Sequence, residues 1–240
     1  MMAVRESAET FREAVPDIVF MLDVDNTLLD NDALKADLAD RLRQLLGENA
    51  AERFWEIYEQ VRQDEDVVDY PETVKRFVDE RGDGGLRSSL VQILDTIPFS
   101  SYLYPHAIET IEYLKTIGVP VIVSDGDPVF QPLKILRSGL EAAVDGRVLI
   151  YVHKEEHLPD VFRRYPARHY VAIDDKPRIL SLLESCCPST FTTVLVLQGH
   201  YGVEGEHTPP PDMVIQRIGD LRNVSKDQFL RDSAHPAAAT

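Results

Sequence analysis

From residue 18 to residue 22 the chain is continuously apolar, Ile18-Val19-Phe20-Met21-Leu22, and the run stops abruptly at Asp23-Val24-Asp25-Asn26-Thr27. An unbroken apolar run with this flank predicts a buried strand of a parallel sheet over 18–23. The pattern then changes to helical spacing. Leu34, Leu38, Leu42, Leu45 and Leu46 predict a helix over 33–46 that stops at Gly47, and Phe54, Trp55, Ile57 and Tyr58 predict a second over 50–61. Pro71 opens a third over 72–80, Asp83-Gly84-Gly85 interrupts the chain, and a fourth over 86–97 is halted by Pro98. Residues 31–100 carry no convincing strand.

Beyond residue 100 the chain alternates. A helix over 108–117 precedes a β-branched strand over 119–123, and a helix over 130–138 precedes a strand over 148–152. A helix over 159–165, a strand over 170–173, a helix over 179–184, a strand over 193–197 and a short edge strand over 213–215 complete the series. Such alternation with short connections predicts an α/β fold, a parallel sheet covered on both faces. Residues 1–30 with 101–230 then form a discontinuous α/β core and 31–100 a helical insert. The insert leaves at the carboxyl edge of the sheet, where open α/β sheets bind ligands. Residues 1–16 read as a helical or loosely attached lead-in, and 231–240 as a frayed tail.

Composition narrows the class. With 44% hydrophobic and 28% charged residues in 240, this is the profile of an ordinary globular protein, long enough for one large domain with an insert. No apolar stretch reaches the length of a membrane span and no signal-peptide apolar region follows Met1, so a cytoplasmic location is expected. Cys186 and Cys187 are adjacent, which suits neither a disulfide nor a metal site. The net charge of −16, from 41 acidic against 25 basic residues, argues against nucleic acid and acidic membranes as partners. It leaves room for a small anionic substrate, because a local cation can reverse the field inside one pocket. No coiled-coil pattern calls for pairing, so monomer and homodimer both stay open.

The candidate chemistry sits at strand ends. Asp23 and Asp25 close the first strand, Ser124 the second, Lys154 lies just beyond the third, and Asp174-Asp175 close the fourth. Singly these read as a turn, a solvated charge or a helix cap. Together, at successive strand ends of one sheet, they point to a site. Residues two apart in a strand share a side, so Asp23 and Asp25 can reach one place. Acids that close call for a cation, a shared proton or both.

This order resembles the haloacid dehalogenase superfamily, a large group made up mostly of phosphatases, over roughly residues 17–216. Its four motifs are an apolar strand ending Asp-x-Asp-x-Thr/Val, a strand ending in Ser or Thr, a Lys, and a strand ending in paired acids. Here Asp23-Val24-Asp25-Asn26-Thr27, Ser124, Lys154 and Asp174-Asp175 are similar to them. The insert between the first two motifs resembles the subgroup with a helical cap, which includes phosphoglycolate phosphatase and β-phosphoglucomutase. The resemblance implies a three-layer Rossmann-like core with an inserted cap domain, hinged at residues 26–30. It also implies a phosphatase acting on a small soluble phosphomonoester. Asp23 would be the nucleophile, since a carboxylate attacks phosphorus without losing a proton, and Asp25 the general acid and then base. Ser124, Lys154 and the backbone amides of Val24 and Asp125 would hold the phosphoryl group. Mg²⁺ is the implied cofactor, on the Asp23 side chain, the Asp25 carbonyl, Asp174 and Asp175, with Asp175 preferred as direct ligand; an all-oxygen set selects a hard ion.

Alternatives share the same residues. A phosphomutase of this fold is barely separable by sequence, and a non-catalytic binding protein would carry the fold without the reaction. A metal-independent dehalogenase would lack the second acid, so Asp25 argues against it. A receiver domain uses similar residues in a different chain order. His153-Lys154-Glu155-Glu156-His157 matches one metalloprotease pattern but follows a strand and meets Pro159, so zinc is not expected. Lys134 reads as a surface residue, Lys176 as an ion-pair partner of the acids, and His200 as a loop residue. Trp55 and Tyr58 read as core of the insert. Asn31, Asp32, Tyr104 and His106 sit where the chain enters and leaves the insert and could sense substrate.

Overall fold

A computed structural model describes residues 15–65, 69–186, 190–202 and 210–230. The lead-in up to residue 14, Cys187 and the tail after residue 230 lie outside the described residues. Strands β1 (Ile18–Leu22), β2 (Val119–Asp125), β3 (Val148–Tyr151), β4 (His169–Asp174), β5 (Phe191–Val196) and β6 (Met213–Ile215) form one sheet in the order β3-β2-β1-β4-β5-β6. All neighbours pair in parallel. The edge strand expected at 213–215 is therefore present.

The strand parity predicted from the apolar run holds through both faces. Ile18, Phe20 and Leu22 join one core cluster with Ile122, Ile173 and Val194, while Val19 and Met21 join the other with Val121, Val123 and Ala172. The helices α1 (Asn31–Leu46), α2 (Glu48–Glu65), α3 (Tyr70–Arg81) and α4 (Leu86–Asp95) all fall between β1 and β2. Afterwards come α5 (Ala107–Lys115), α6 (Phe130–Ser138), α7 (Leu140–Ala143), α8 (Leu158–Arg164), α9 (Pro177–Cys186), α10 (Gly199–Gly202) and α11 (Lys226–Phe229). None of the described helices is long and apolar enough to cross a membrane.

Two details of this frame place the site. The strand order reverses direction at β1, with β2 on one side and β4 on the other, and such a reversal opens a crevice beyond the carboxyl ends of the strands. The chain enters and leaves the helical insert over one narrow contact. Asp30 N donates to Tyr102 O (2.8 Å), Tyr104 N donates to Leu28 O (3.0 Å), and Leu29 and Leu103 form an antiparallel bridge.

The helix α1 starts at Asn31, two residues before the apolar pattern begins, because side chains outside that pattern cap it. Asp30 Oδ1 accepts from Ala33 N (2.8 Å), and Asn26 Oδ1 accepts from the amides of Asn31 (3.0 Å) and Asp32 (3.2 Å). Asn26 does this at φ +62°, a left-handed conformation that asparagine tolerates better than most residues.

Candidate active site

Asp23 extends the β1 ladder by one bond, donating its amide to Ile173 O (3.0 Å), so its backbone is fixed by the sheet. The carboxylate is buried. Its Oδ1 lies 2.5 Å from Lys154 Nζ, and its Oδ2 has no hydrogen-bond partner among the described residues. Lys154 Nζ also pairs with Asp174 Oδ2 at 2.6 Å. Burial works against this ammonium, but Asp174 and Asp23 outweigh it and hold the lysine above its ordinary pKa, fully charged. Lys154 opens a 3₁₀ turn after β3, behind a left-handed His153 (φ +59°), and Asp125 Oδ1 accepts from the Lys154 amide at 2.7 Å. Sequence reasoning gave Asp125 only a backbone role. Its carboxylate also pins the turn that presents Lys154.

At the end of β4 the two acids differ sharply. Asp174 is satisfied, with Oδ2 on Lys154 and Oδ1 accepting from the Lys176 amide (2.8 Å), although burial still raises its pKa. Asp175 is fully buried, and among the described residues neither of its oxygens has a hydrogen-bond partner. Burial first, then the charges of Asp23 and Asp174, push its pKa up to about 9. Asp23, Asp174 and Asp175 each offer an oxygen within 4.8 Å of the others. One ammonium in contact with this group leaves three buried acids under-compensated. Hard oxygens, two of them on one orphaned carboxylate, fit a hard divalent cation.

Asp25 lies apart from this triad, although it was expected to share Asp23's side of the strand. Its carboxylate turns to the helix α6, where Lys134 Nζ lies 2.7 Å from Oδ1 and 2.9 Å from Oδ2. Lys134 also donates to Asn31 Oδ1 (3.2 Å). The expectation of a surface lysine is corrected: only 4% of the Lys134 side chain is exposed, whereas Leu136 is 58% exposed. The buried positions of α6 are Phe130, Gln131, Lys134, Ile135 and Ser138, a helical stripe that carries its polar members inward. Gln131 serves the same place, donating from Nε2 to Ser124 Oγ at 2.9 Å. A Cβ on Gly126 would meet the Gln131 side chain at 2.5 Å, so glycine is required for this close approach. Ser124, buried at the end of β2, thus sits between the Lys154 turn and α6.

The remaining candidates divide. Asn31 reaches the site through Lys134. Asp32 instead ties the insert to the core: His200 donates from its backbone N (3.0 Å) and pairs through Nδ1 (2.9 Å), and Asn26 Nδ2 donates at 3.2 Å. Tyr104 packs against the core, and burial pushes its phenol up. His106 is an exposed N-cap of α5 at φ +68°. Lys176 does not make the expected ion pair: among the described residues no carboxylate lies within 4.0 Å of it, and its Nζ sits 5.7 Å over the Tyr201 ring. Burial opposes its charge, yet Asp23 and Asp174 raise its pKa across the gap. His157 stacks on Tyr151 at 4.6 Å, a packing role. Tyr58 is buried in the insert and Trp55 packs beside it, as expected.

The sequence and the fold are shared with known proteins. A family model described as haloacid dehalogenase-like hydrolase matches residues 19–177. The chain is similar to a crystal structure from Burkholderia xenovorans LB400 described as a haloacid dehalogenase-like hydrolase, at 43% identity over 89% of this chain and 99% of that one, with a TM-score of 0.82. Two structures share the fold at 17% identity. One is the HAD-hydrolase YfnB of Bacillus subtilis bound to magnesium, covering 88% of this chain and 99% of that one, with a TM-score of 0.58. The other is L-2-haloacid dehalogenase of Xanthobacter autotrophicus, covering 88% and 98%, with a TM-score of 0.54. Comparison with curated proteins gives no match.

Proposed function

Because the chain belongs to the haloacid dehalogenase-like hydrolases, we propose that it is a Mg²⁺-dependent phosphatase that hydrolyses a small phosphomonoester through an aspartyl phosphate on Asp23. The observation that carries this reading is Asp175: a fully buried carboxylate whose two oxygens have no partner among the described residues, beside Asp23 and Asp174, is suited to a hard cation. Asp23, Asp174 and Asp175 would hold the ion, with Asp175 as the direct ligand because Lys154 already occupies Asp174. Bound there, magnesium would offset the acids and the phosphate dianion and polarise the phosphoryl oxygens.

The chain's own residues then divide the reaction. Lys154 holds Asp23 Oδ1 and fixes the angle at which the carboxylate meets phosphorus. An Asp23 oxygen bonds to phosphorus, the ester P–O bond breaks, and its electron pair leaves on the alcohol oxygen, which takes a proton from Asp25. In the second half Asp25 takes a proton from water, whose oxygen bonds to phosphorus. The P–O bond to Asp23 breaks, which frees the carboxylate and inorganic phosphate. Ser124 Oγ, oriented by Gln131, donates to a phosphoryl oxygen, and Lys154 offsets charge on others. Asp25 also supports phosphatase over dehalogenase, since displacement of halide from carbon needs no second acid. A phosphomutase would use the same residues. Transfer of label between sugar bisphosphates separates it from a hydrolase, and none is expected.

The test is direct. Purified protein is expected to hydrolyse p-nitrophenyl phosphate with Mg²⁺ and to stop on chelation, and Asp23→Asn is expected to be inert. Turnover surviving that substitution would sink the mechanism.

A further inference from the structure

Gln131 stands between two groups that the reaction uses for different ends. Its side chain is buried, and its Nε2 lies 2.9 Å from Ser124 Oγ and 3.5 Å from Asp25 Oδ2. Ser124 meets the phosphoryl group, whereas Asp25 moves the proton. The amide has little room to leave this position. A Cβ at Gly126 would lie 2.6 Å from Gln131 Cγ and 3.0 Å from Cδ, so the loop after β2 runs along the side chain.

A primary amide can face its neighbours with N–H or with carbonyl, and these two neighbours are not equivalent. A serine hydroxyl donates or accepts, so Ser124 tolerates either face. Asp25 does not. Both of its oxygens are paired with the Lys134 ammonium, at 2.7 and 2.9 Å, and a carboxylate so paired only accepts. A carbonyl turned toward it would set acceptor against acceptor in a buried place. Asp25 therefore fixes the amide with Nε2 inward, and Nε2 then donates to Ser124 as well. Because Oγ accepts that bond, the Ser124 hydrogen must point away from Gln131. It points to Asp125 O at 3.3 Å, a long bond for a hydroxyl and one that a phosphoryl oxygen can replace.

We propose that Asp25 sets the direction of the Ser124 hydrogen bond through Gln131, so that Gln131 is a positioning residue and Ser124 is held as a donor to phosphoryl oxygen. This rests on the phosphatase reading of the same site. It adds a link between the group that moves the proton and the group that holds the phosphate. Asp25 then has a second task, carried by its charge alone, in addition to proton transfer.

Calorimetric binding of inorganic phosphate to the protein with Mg²⁺ reads the link without turnover. Gln131→Met keeps the shape of the side chain and removes the donor, and should weaken binding by about tenfold, the scale of one hydrogen bond to a charged group. Ser124→Ala should weaken it as far, and adding Gln131→Met to Ser124→Ala should cost nothing more. In Asp25→Ala, where no carboxylate fixes the amide, Gln131→Met should again cost little. Thermal unfolding should show the variants folded. Gln131→Glu is the second variant: its carboxylate would draw the Ser124 hydrogen onto itself, so phosphate should bind more weakly than to Ser124→Ala. A Gln131→Met loss that persists in full in Ser124→Ala or in Asp25→Ala would overturn the link, since a residue that only packs does not depend on either. The same set of variants is then assayed on p-nitrophenyl phosphate. If no ester is hydrolysed yet phosphate binding follows the expected cycle, the reaction fails and the link stands. If esters are hydrolysed and the losses simply add, the link fails and the reaction stands. Phosphate that does not bind at all would remove both.

Discussion

Lys134 grips both carboxylate oxygens of Asp25, at 2.7 and 2.9 Å, from a helix that exposes Leu136 to solvent and keeps this lysine inside. A buried cation in that position sets the orientation of the proposed acid/base. Lys134→Met is therefore expected to lower kcat on an alkyl phosphate by about 100-fold, near the lower end of what a positioned acid contributes. The loss on p-nitrophenyl phosphate should be much smaller, because p-nitrophenolate departs without a proton. Steady-state kinetics on the two esters checks this. Equal losses would mean that Lys134 serves the phosphoryl group instead.

Lys154 stands between two buried acids, Asp23 and Asp174. Removing it strands both. Lys154→Met should cost about 3–5 kcal/mol of stability in metal-free protein, the usual consequence of breaking a buried ion pair. Kcat should fall by roughly 1,000-fold where turnover persists. Denaturant unfolding with and without Mg²⁺ gives the first number. Added metal is expected to restore part of the loss.

Asp175 titrates against the fold. Its pKa is pushed up to about 9 from an ordinary 3.8, by burial and then by Asp23 and Asp174, so the folded metal-free state holds a proton that the unfolded chain has released over that window. Stability from this group is then highest below about pH 4 and declines as pH rises toward 9. Metal-free protein should lose melting temperature from pH 5 to pH 9, and Asp175→Asn should flatten that slope. The same variant should lose the Mg²⁺-induced rise in melting temperature. A Mg²⁺ shift unchanged in Asp175→Asn would move the direct ligand elsewhere.

Gly199 touches the base of the insert. It has φ +63°, and a Cβ there would come within 2.5 Å of the Asn26 side chain. Gly199→Ala should cost about 1–3 kcal/mol by strain alone. It should also displace Asn26, which caps α1, so kcat and KM are expected to change together even though neither residue meets the phosphoryl group. Chemical denaturation and kinetics on one preparation separate the two effects.

Much of the site could be read from strand ends. The apolar run before Asp23, the β-branched run before Ser124 and the run before Asp174 each end where the sheet ends, so chemistry and architecture share one signal. The residues that escaped lie on helices. Lys134 and Gln131 are polar side chains on the inward stripe of α6, while Val129 and Leu136 face solvent, so hydrophobicity pointed to the wrong face. Spacing was the better guide, since Phe130, Lys134 and Ser138 recur at intervals of four. Asp125 gave no sign that its side chain would hold the Lys154 turn, a contact between strands that no local pattern encodes.

The bridge between Leu29 and Leu103 bears on how the helices between β1 and β2 keep their place. The chain leaves the core and returns to it side by side, with Asp30 bonded to Tyr102 and Tyr104 to Leu28, so a shift at one crossing is carried to the other. Further along, Asn31 on Lys134 and Asp32 on His200 tie the first insert helix to the core as well. Any exchange of residues 31–101 would therefore have to carry those two contacts with it if Lys134, and through it Asp25, is to keep its place.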